Sequence, residues 1–330
     1  MPYGIPPAWW PALTVASPVL IPALAVANRR FQRDSTRAAQ HNHLRLNSAD
    51  ALDLPELEWL EVTPLVEWEA AAGFLADPAI SYLIRTDRGA LLFDLGFGAE
   101  SSALEHNARL LEVQPEPLEA LAVSCLHPAH MGGRAAARSG HVTAPRALTP
   151  PGLRPCFVPD VTLAPGFTAV WVEGPRRLAA GLGSTGPLGC ALFFGGLREE
   201  QALLARLKGR GLAVLAGCGF AGLQLILEVS RRLCPGDPLY AIVGGLNFPI
   251  SESRRCVGGF PTQMLLDTGK PPWRPITNGE LSRALEYLDQ ARPARALLSA
   301  HNNCDHALAR FEMELDAEIS ILTAGVTYRL

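Results

Sequence analysis

The chain has 330 residues, 48% of them apolar and 18% charged, with 29 basic side chains against 32 acidic ones and a net charge of −3. That balance argues against nucleic acid as a partner, because phosphate binding needs a basic excess or cluster, and so much apolar material argues against disorder. Seven cysteines, an odd number, suit a reducing compartment better than a disulfide-framed secreted fold.

No charged side chain precedes Arg29. Residues 8–27 form an uncharged stretch of about 20 residues, which as a helix would rise about 30 Å, the thickness of a bilayer core. Trp9 and Trp10 stand at one end like an interfacial belt. Arg29, Arg30, Arg33 and Arg37 follow the other end, which would keep that side cytoplasmic. Pro11, Pro18 and Pro22 work against a straight helix, since each removes a backbone donor. The pattern predicts a cytoplasmic protein attached to a membrane surface through residues 5–28. The competing reading is an arm folded over the protein's own apolar surface. A polar stretch, residues 29–50, completes this arm, with His41 and His43 solvated, so residues 1–50 are set apart from a domain spanning 51–330.

Next in order come a hairpin, residues 80–85 and 90–94 around the turn 86–89, a helix over 101–113, and a short buried strand at 121–124. Trp171 lies in a further strand, and a second series begins at 191–194. Leu197, Leu204 and Leu207 share one face of a helix expected over 197–208. A strand (212–216), a helix (223–233), a strand (239–243), a helix (281–288), a strand (295–299) and a final helix (304–315) follow. Strand–loop–helix units in two successive series predict an α/β layered fold.

Three strand ends carry the candidate chemistry. Ser124-Cys125-Leu126-His127-Pro128-Ala129-His130-Met131-Gly132-Gly133 offers C-x-H-x-x-H, a spacing in which thiolate and imidazoles converge on one metal ion. Ala216-Gly217-Cys218-Gly219 lets a strand turn sharply into a helix, with Cys218 most simply a buried thiol. Ser299-Ala300-His301 opens the last helix, where Asp305 serves the helix N-terminus. Thr268-Gly269-Lys270 lacks the earlier glycine of a phosphate loop. Ser184 lacks the first glycine of G-x-S-x-G and reads as a turn.

Taken together, S-C-L-H-P-A-H-M-G-G, the upstream Asp94-Leu95-Gly96, Ser184-Thr185-Gly186, Gly217-Cys218-Gly219, Gly244-Gly245-Leu246-Asn247 and the His301 loop resemble the ordered motifs of the metallo-β-lactamase-fold hydrolases. Within them they are similar to the dihydropterin-linked ribofuranosyl-aminobenzene phosphate synthase-like branch. The resemblance covers residues 57–330. It implies an αββα sandwich with metals at the sheet edge, and it leaves the apolar N-terminal arm outside.

The same resemblance marks where this chain departs. Cys125 stands at the first-His position, Ala129 at the Asp position, Phe220 follows Gly-Cys-Gly and Asn247 follows Gly-Gly-Leu. His127, His130 and His301 remain, with Cys125 a fourth donor; Phe220 is expected to fill vacated space with its ring. A two-metal centre needs about six protein ligands, so the expected cofactor is none or one zinc ion, and a two-metal centre is not expected. Replaced ligand positions on a retained fold imply a non-catalytic binding or assembly subunit at a membrane surface, partnered by another protein or by a homologous active subunit. The alternative is a mononuclear zinc-dependent hydrolase acting on a small ester or phosphoester.

Overall fold

A computed structural model of the chain describes residues 7–250, 256–257, 260–261 and 268–330. Its first sheet has seven strands, in the order Tyr328–Arg329, Leu60–Val66, Ser81–Thr86, Gly89–Phe93, Leu118–Ala122, Pro155–Val158 and Thr168–Trp171. The second has eight, running Glu318–Ile321, Arg295–Leu298, Leu239–Gly244, Gly211–Ala216, Leu203–Leu207, Gly183–Ser184 and Arg176–Arg177. Glu56–Leu57 pairs alongside Leu203–Leu207.

Successive side chains of a strand point to opposite faces, and here both faces are buried. In Gly211–Ala216, Ala213 and Leu215 enter a central core together with Tyr82, Ile84, Leu91 and Phe93 of the first sheet. Leu212, Val214 and Ala216 point the other way, against the helices Leu223–Leu233, Asn278–Ala291 and Asp305–Glu314. Leu83 and Leu92 of the first sheet face outward onto the helix Ala103–Leu110 and the short helix Pro128–Met131. Three apolar layers separating helix, sheet, sheet and helix make the expected αββα sandwich.

The expected helix over 197–208 is two strands, Gly196–Glu200 and Leu203–Leu207. Leu203, Ala205 and Leu207 enter the central core while Leu204 enters the outer one, the two-residue alternation of a sheet buried on both faces. Glu200 and Gln201 stay inside between them: Gln201 Nε2 donates to the carbonyls of Val123 (2.9 Å) and Phe157 (3.1 Å), and Ser184 Oγ donates to Gln201 Oε1 (2.6 Å). Gln201 therefore ties the second sheet to the first, and Ser184 holds it in place.

The arm is one helix, α1 (Trp10–Asn47), which runs through Pro18 and Pro22 and continues across the stretch expected to be merely polar. Its two halves differ. The N-terminal half is long and apolar enough to cross a membrane, with mean hydropathy 1.7 over 18 residues and none of that window buried. The C-terminal half docks on the hairpin formed by Leu188–Leu192 and Gly196–Glu200. There Asn42 donates through Nδ2 to the Gly189 carbonyl (2.7 Å) and accepts from the Gly189 N–H through Oδ1 (2.7 Å), while Arg45 pairs with Glu199 at 2.6 Å. His41 and His43 are exposed.

Candidate metal centre

The site forms where strand ends of the two sheets meet. After Gly89–Phe93 the chain turns at Asp94, a buried residue held at φ 64°. Its carboxylate is fully engaged. Oδ1 accepts from the Ser124 N–H (2.6 Å), and Oδ2 accepts from Ser124 Oγ (2.6 Å) and faces His130 Nδ1 at 2.8 Å. A carboxylate accepting from Nδ1–H fixes the histidine tautomer and ring orientation and leaves Nε2 with the free lone pair.

His130 sits on the short helix Pro128–Met131, whose glycine-rich end returns the chain. From its fully buried position His130 points Nε2 at Cys218 Sγ, 2.9 Å away, and Cys218 Sγ lies 2.7 Å from Cys125 Sγ. Cys218 follows the strand Gly211–Ala216, and Gly217 permits that approach: a Cβ there would strike Ser124 Oγ. Gly219 (φ 74°) then turns the chain away toward Leu223–Leu233.

The donor atoms of Cys125, His130 and Cys218 all lie within 4.8 Å of one another. Two of these residues were expected as ligands, and Cys218 replaces the other two in the tight group. His127 and His301 stay outside it, their rings 6.0 and 5.6 Å from the His130 ring, lining the same cavity. The cavity is about 660 Å³ and has Cys218, His130 and Phe220 in its walls. Phe220 meets His127 edge-on at 6.3 Å. Asn247 is elsewhere: it lines a separate space of about 320 Å³, and its buried Oδ1 has no hydrogen-bond partner among the described residues. A larger space of about 770 Å³, beside α1 and lined by Phe31, Trp273 and Ile276, holds no comparable donor group among the described residues.

Electrostatics concentrate at the same spot. Burial alone would lower the His130 pKa, but the neighbouring Cys125 sulfur and the Asp94 carboxylate outweigh it and carry it up to about 9. Burial pushes the Cys218 thiol well up, and the neighbouring Cys125 sulfur pushes it further. Glu200, whose carboxylate accepts from the Phe220 and Ala221 N–H groups, is raised by burial to about 7.

The donors suit zinc. Two thiolates and one imidazole are a Cys2His set, three protein ligands of the kind that leave a fourth position open at a catalytic zinc, and the cavity lies on the open side. The donor types suit a single ion backed by the Asp94-bound histidine, and because two sulfurs at about 2.3 Å from one zinc stand about 3.7 Å apart, the 2.7 Å Sγ–Sγ contact has to open by about 1 Å to admit it.

No protein-family description and no curated protein matches this sequence. Solved structures do. Tm1679, a metal-dependent hydrolase of the β-lactamase superfamily, is similar over 82% of this chain and 98% of its own, at 17% identity and a TM-score of 0.56. The metallo-β-lactamase fold protein YhfI from Bacillus subtilis covers 83% of this chain and 100% of its own, at 16% identity and a TM-score of 0.44. A diphosphatase of the PhnP family covers 82% and 97%, at 12% identity and a TM-score of 0.45. With its two sheets, outer helices and strand-end histidines, the chain has the metallo-β-lactamase fold.

Proposed function

We propose that this protein is a mononuclear, zinc-dependent hydrolase of a small ester or phosphoester group, held at a membrane by α1. One observation carries the reading: His130 and Cys218 line an open cavity with Cys125 beside them, and Asp94 holds His130 so that Nε2 faces Cys218 Sγ. When bound, zinc supplies Lewis acidity, polarising a carbonyl or phosphoryl oxygen and bringing the pKa of water toward about 7.

The chain's own residues do the rest. Asp94 keeps the proton on His130 Nδ1, and Ser124, by donating twice to Asp94, keeps that carboxylate in place. His127 and His301 are the imidazoles at the cavity wall beyond the ligand group, and Asp160 lines it too. The two imidazoles are placed to hold or pass a proton there. Phe220 excludes water on one flank. Ala129 is buried and has no carboxylate to orient an attacking water, which favours the second reading, a non-catalytic binding subunit.

For α1, support comes from its apolar half, from the tryptophans at one end and from the arginine cluster at the other. The arginines that follow the apolar half support a cytoplasmic side for the folded domain.

The test uses full-length protein without a histidine tag, purified under reductant because two thiols this close oxidise readily. Its metal content and its hydrolysis of nitrophenyl esters and phosphodiesters are measured beside Cys218→Ser and His130→Ala. Zinc-dependent turnover lost in both variants supports the hydrolase. Absence of turnover, with or without bound zinc, supports the non-catalytic reading, and absence of bound metal overturns the zinc-dependent hydrolase.

A further inference from the structure

The wall of the candidate catalytic cavity is also the docking platform of α1. Along that contact, Asn42 meets Gly189 and the Phe31 ring meets the Phe193 ring at 6.0 Å. The hairpin therefore runs along the helix toward its apolar half, ending in the tip Phe193-Phe194-Gly195. Phe31 lies four residues past Ala27, about 6 Å of helix rise, where the uncharged segment gives way to Arg29 and Arg30. If residues 8–27 occupy the hydrocarbon core, the hairpin tip sits at headgroup depth.

The side chains at the tip match that depth. Phe193 packs edge-on against Phe194 (4.8 Å) and Trp273 (5.3 Å). Phe194 and Trp273 are nonetheless 57% and 45% exposed, an aromatic cluster of the kind found at membrane interfaces. Leu192, Phe194 and Arg198 of this hairpin line the same cavity as His127, His130 and Cys218, and Arg134 lines it from the opposite loop. The cavity thus joins an apolar, membrane-level rim at Phe194 to two exposed guanidinium groups, which outnumber the one carboxylate of its lining, Asp160, and then to the donor group.

We infer that the cavity opens at the bilayer surface and takes an anionic amphiphile from the membrane, its tail held among the rim aromatics and the lipid, and its head drawn by Arg134 and Arg198 toward the metal centre. This names the substrate class of the proposed hydrolase and rests on the membrane reading of α1. Guanidinium groups suit a phosphate or carboxylate head.

The experiment is photo-crosslinking of the full-length chain in phosphatidylcholine vesicles containing phosphatidylglycerol with a diazirine near its head, followed by peptide mapping. The inference expects adducts on residues 10–27 and also on the cavity segments 126–131 and 192–198. The turn at 208–210, at the far end of the strands that lead to the site, should stay unlabelled. Adducts on 10–27 alone would overturn the inference while keeping the membrane reading. Equal labelling of 208–210 would show general surface contact and overturn it as well. Absence of adducts from 10–27 would overturn the membrane reading, and this inference with it.

Discussion

The two sides of the site are built on opposite plans. On the first-sheet side, Asp94, Ser124 and His130 form a closed hydrogen-bond unit, fully buried, in which both carboxylate oxygens are used. On the second-sheet side, Cys218 is the single donor of the group, Phe220 presents a ring, and Asn247 turns into another space with an unpaired amide oxygen. The first side positions a ligand and the second thins out the ligands around it. What persists is enough to hold one ion, because the orienting carboxylate and its histidine act as a unit that Cys125 and Cys218 complete.

The sharpest way to break this contrast is Asp94→Ala. It strands the Ser124 N–H, the Ser124 hydroxyl and His130 Nδ1 in the core, and removing one partner of such a buried pair costs about 3–5 kcal/mol. Urea unfolding should show that loss, with Asp94→Asn milder in stability but weakening zinc binding by about 10–100-fold. A loss below about 1 kcal/mol for Asp94→Ala would mean the first side is not the rigid one.

Glu200 lies between the two sides. Its folded pKa of about 7 is above the ordinary 4.5, so its contribution to stability is complete below pH 4.5 and is lost as pH rises through 7. That shift corresponds to about 3 kcal/mol across the window. In EDTA, the urea midpoint of the native chain should fall between pH 5 and 8, and Glu200→Gln should flatten the fall. Parallel profiles for the two proteins would remove Glu200 from the account.

Zinc at about a hundredfold excess over its dissociation constant should stabilise the folded chain by about 2.7 kcal/mol, read as a higher melting temperature. Cys218→Ser should lose most of that increment, whereas His127→Ala and His301→Ala should keep it, since neither belongs to the tight group. Phe220→Ala gives the smallest effect. Its ring is only partly buried, so about 1–2 kcal/mol is expected, below the range for a full core phenylalanine, with zinc stoichiometry unchanged. A zinc response lost with Phe220 would show that the second side does more than enclose.

Local pattern made much of the architecture legible. The helix Leu223–Leu233 has the residues expected of it, and the Ser81–Thr86 and Gly89–Phe93 hairpin lies within a residue of its predicted bounds. The failure at 197–208 has a physical cause. Leu197, Leu204 and Leu207 satisfy a helical period, while the intervening Glu199-Glu200-Gln201 gives no local sign that Glu200 and Gln201 will be buried against Phe220, Ala221 and Val123. The course of α1 past Arg29 was equally hidden, because the Asn42–Gly189 pairing joins residues 147 apart.

Two of the three members of the tight group were legible, for Cys125 and His130 share a loop whose spacing is suggestive by itself. Cys218 was visible only as a thiol between glycines. Its place beside Cys125, 93 residues away, arises from two sheets aligning their strand ends, which no local pattern encodes.

The central claim is one metal ion held by Cys125, His130 and Cys218. It is tested most directly by elemental analysis of the tag-free chain, dialysed under reductant against trace zinc, beside Cys218→Ser. One equivalent of zinc per native chain, falling to near zero in the variant, is the predicted result. Two equivalents, or one equivalent that survives Cys218→Ser, would contradict it.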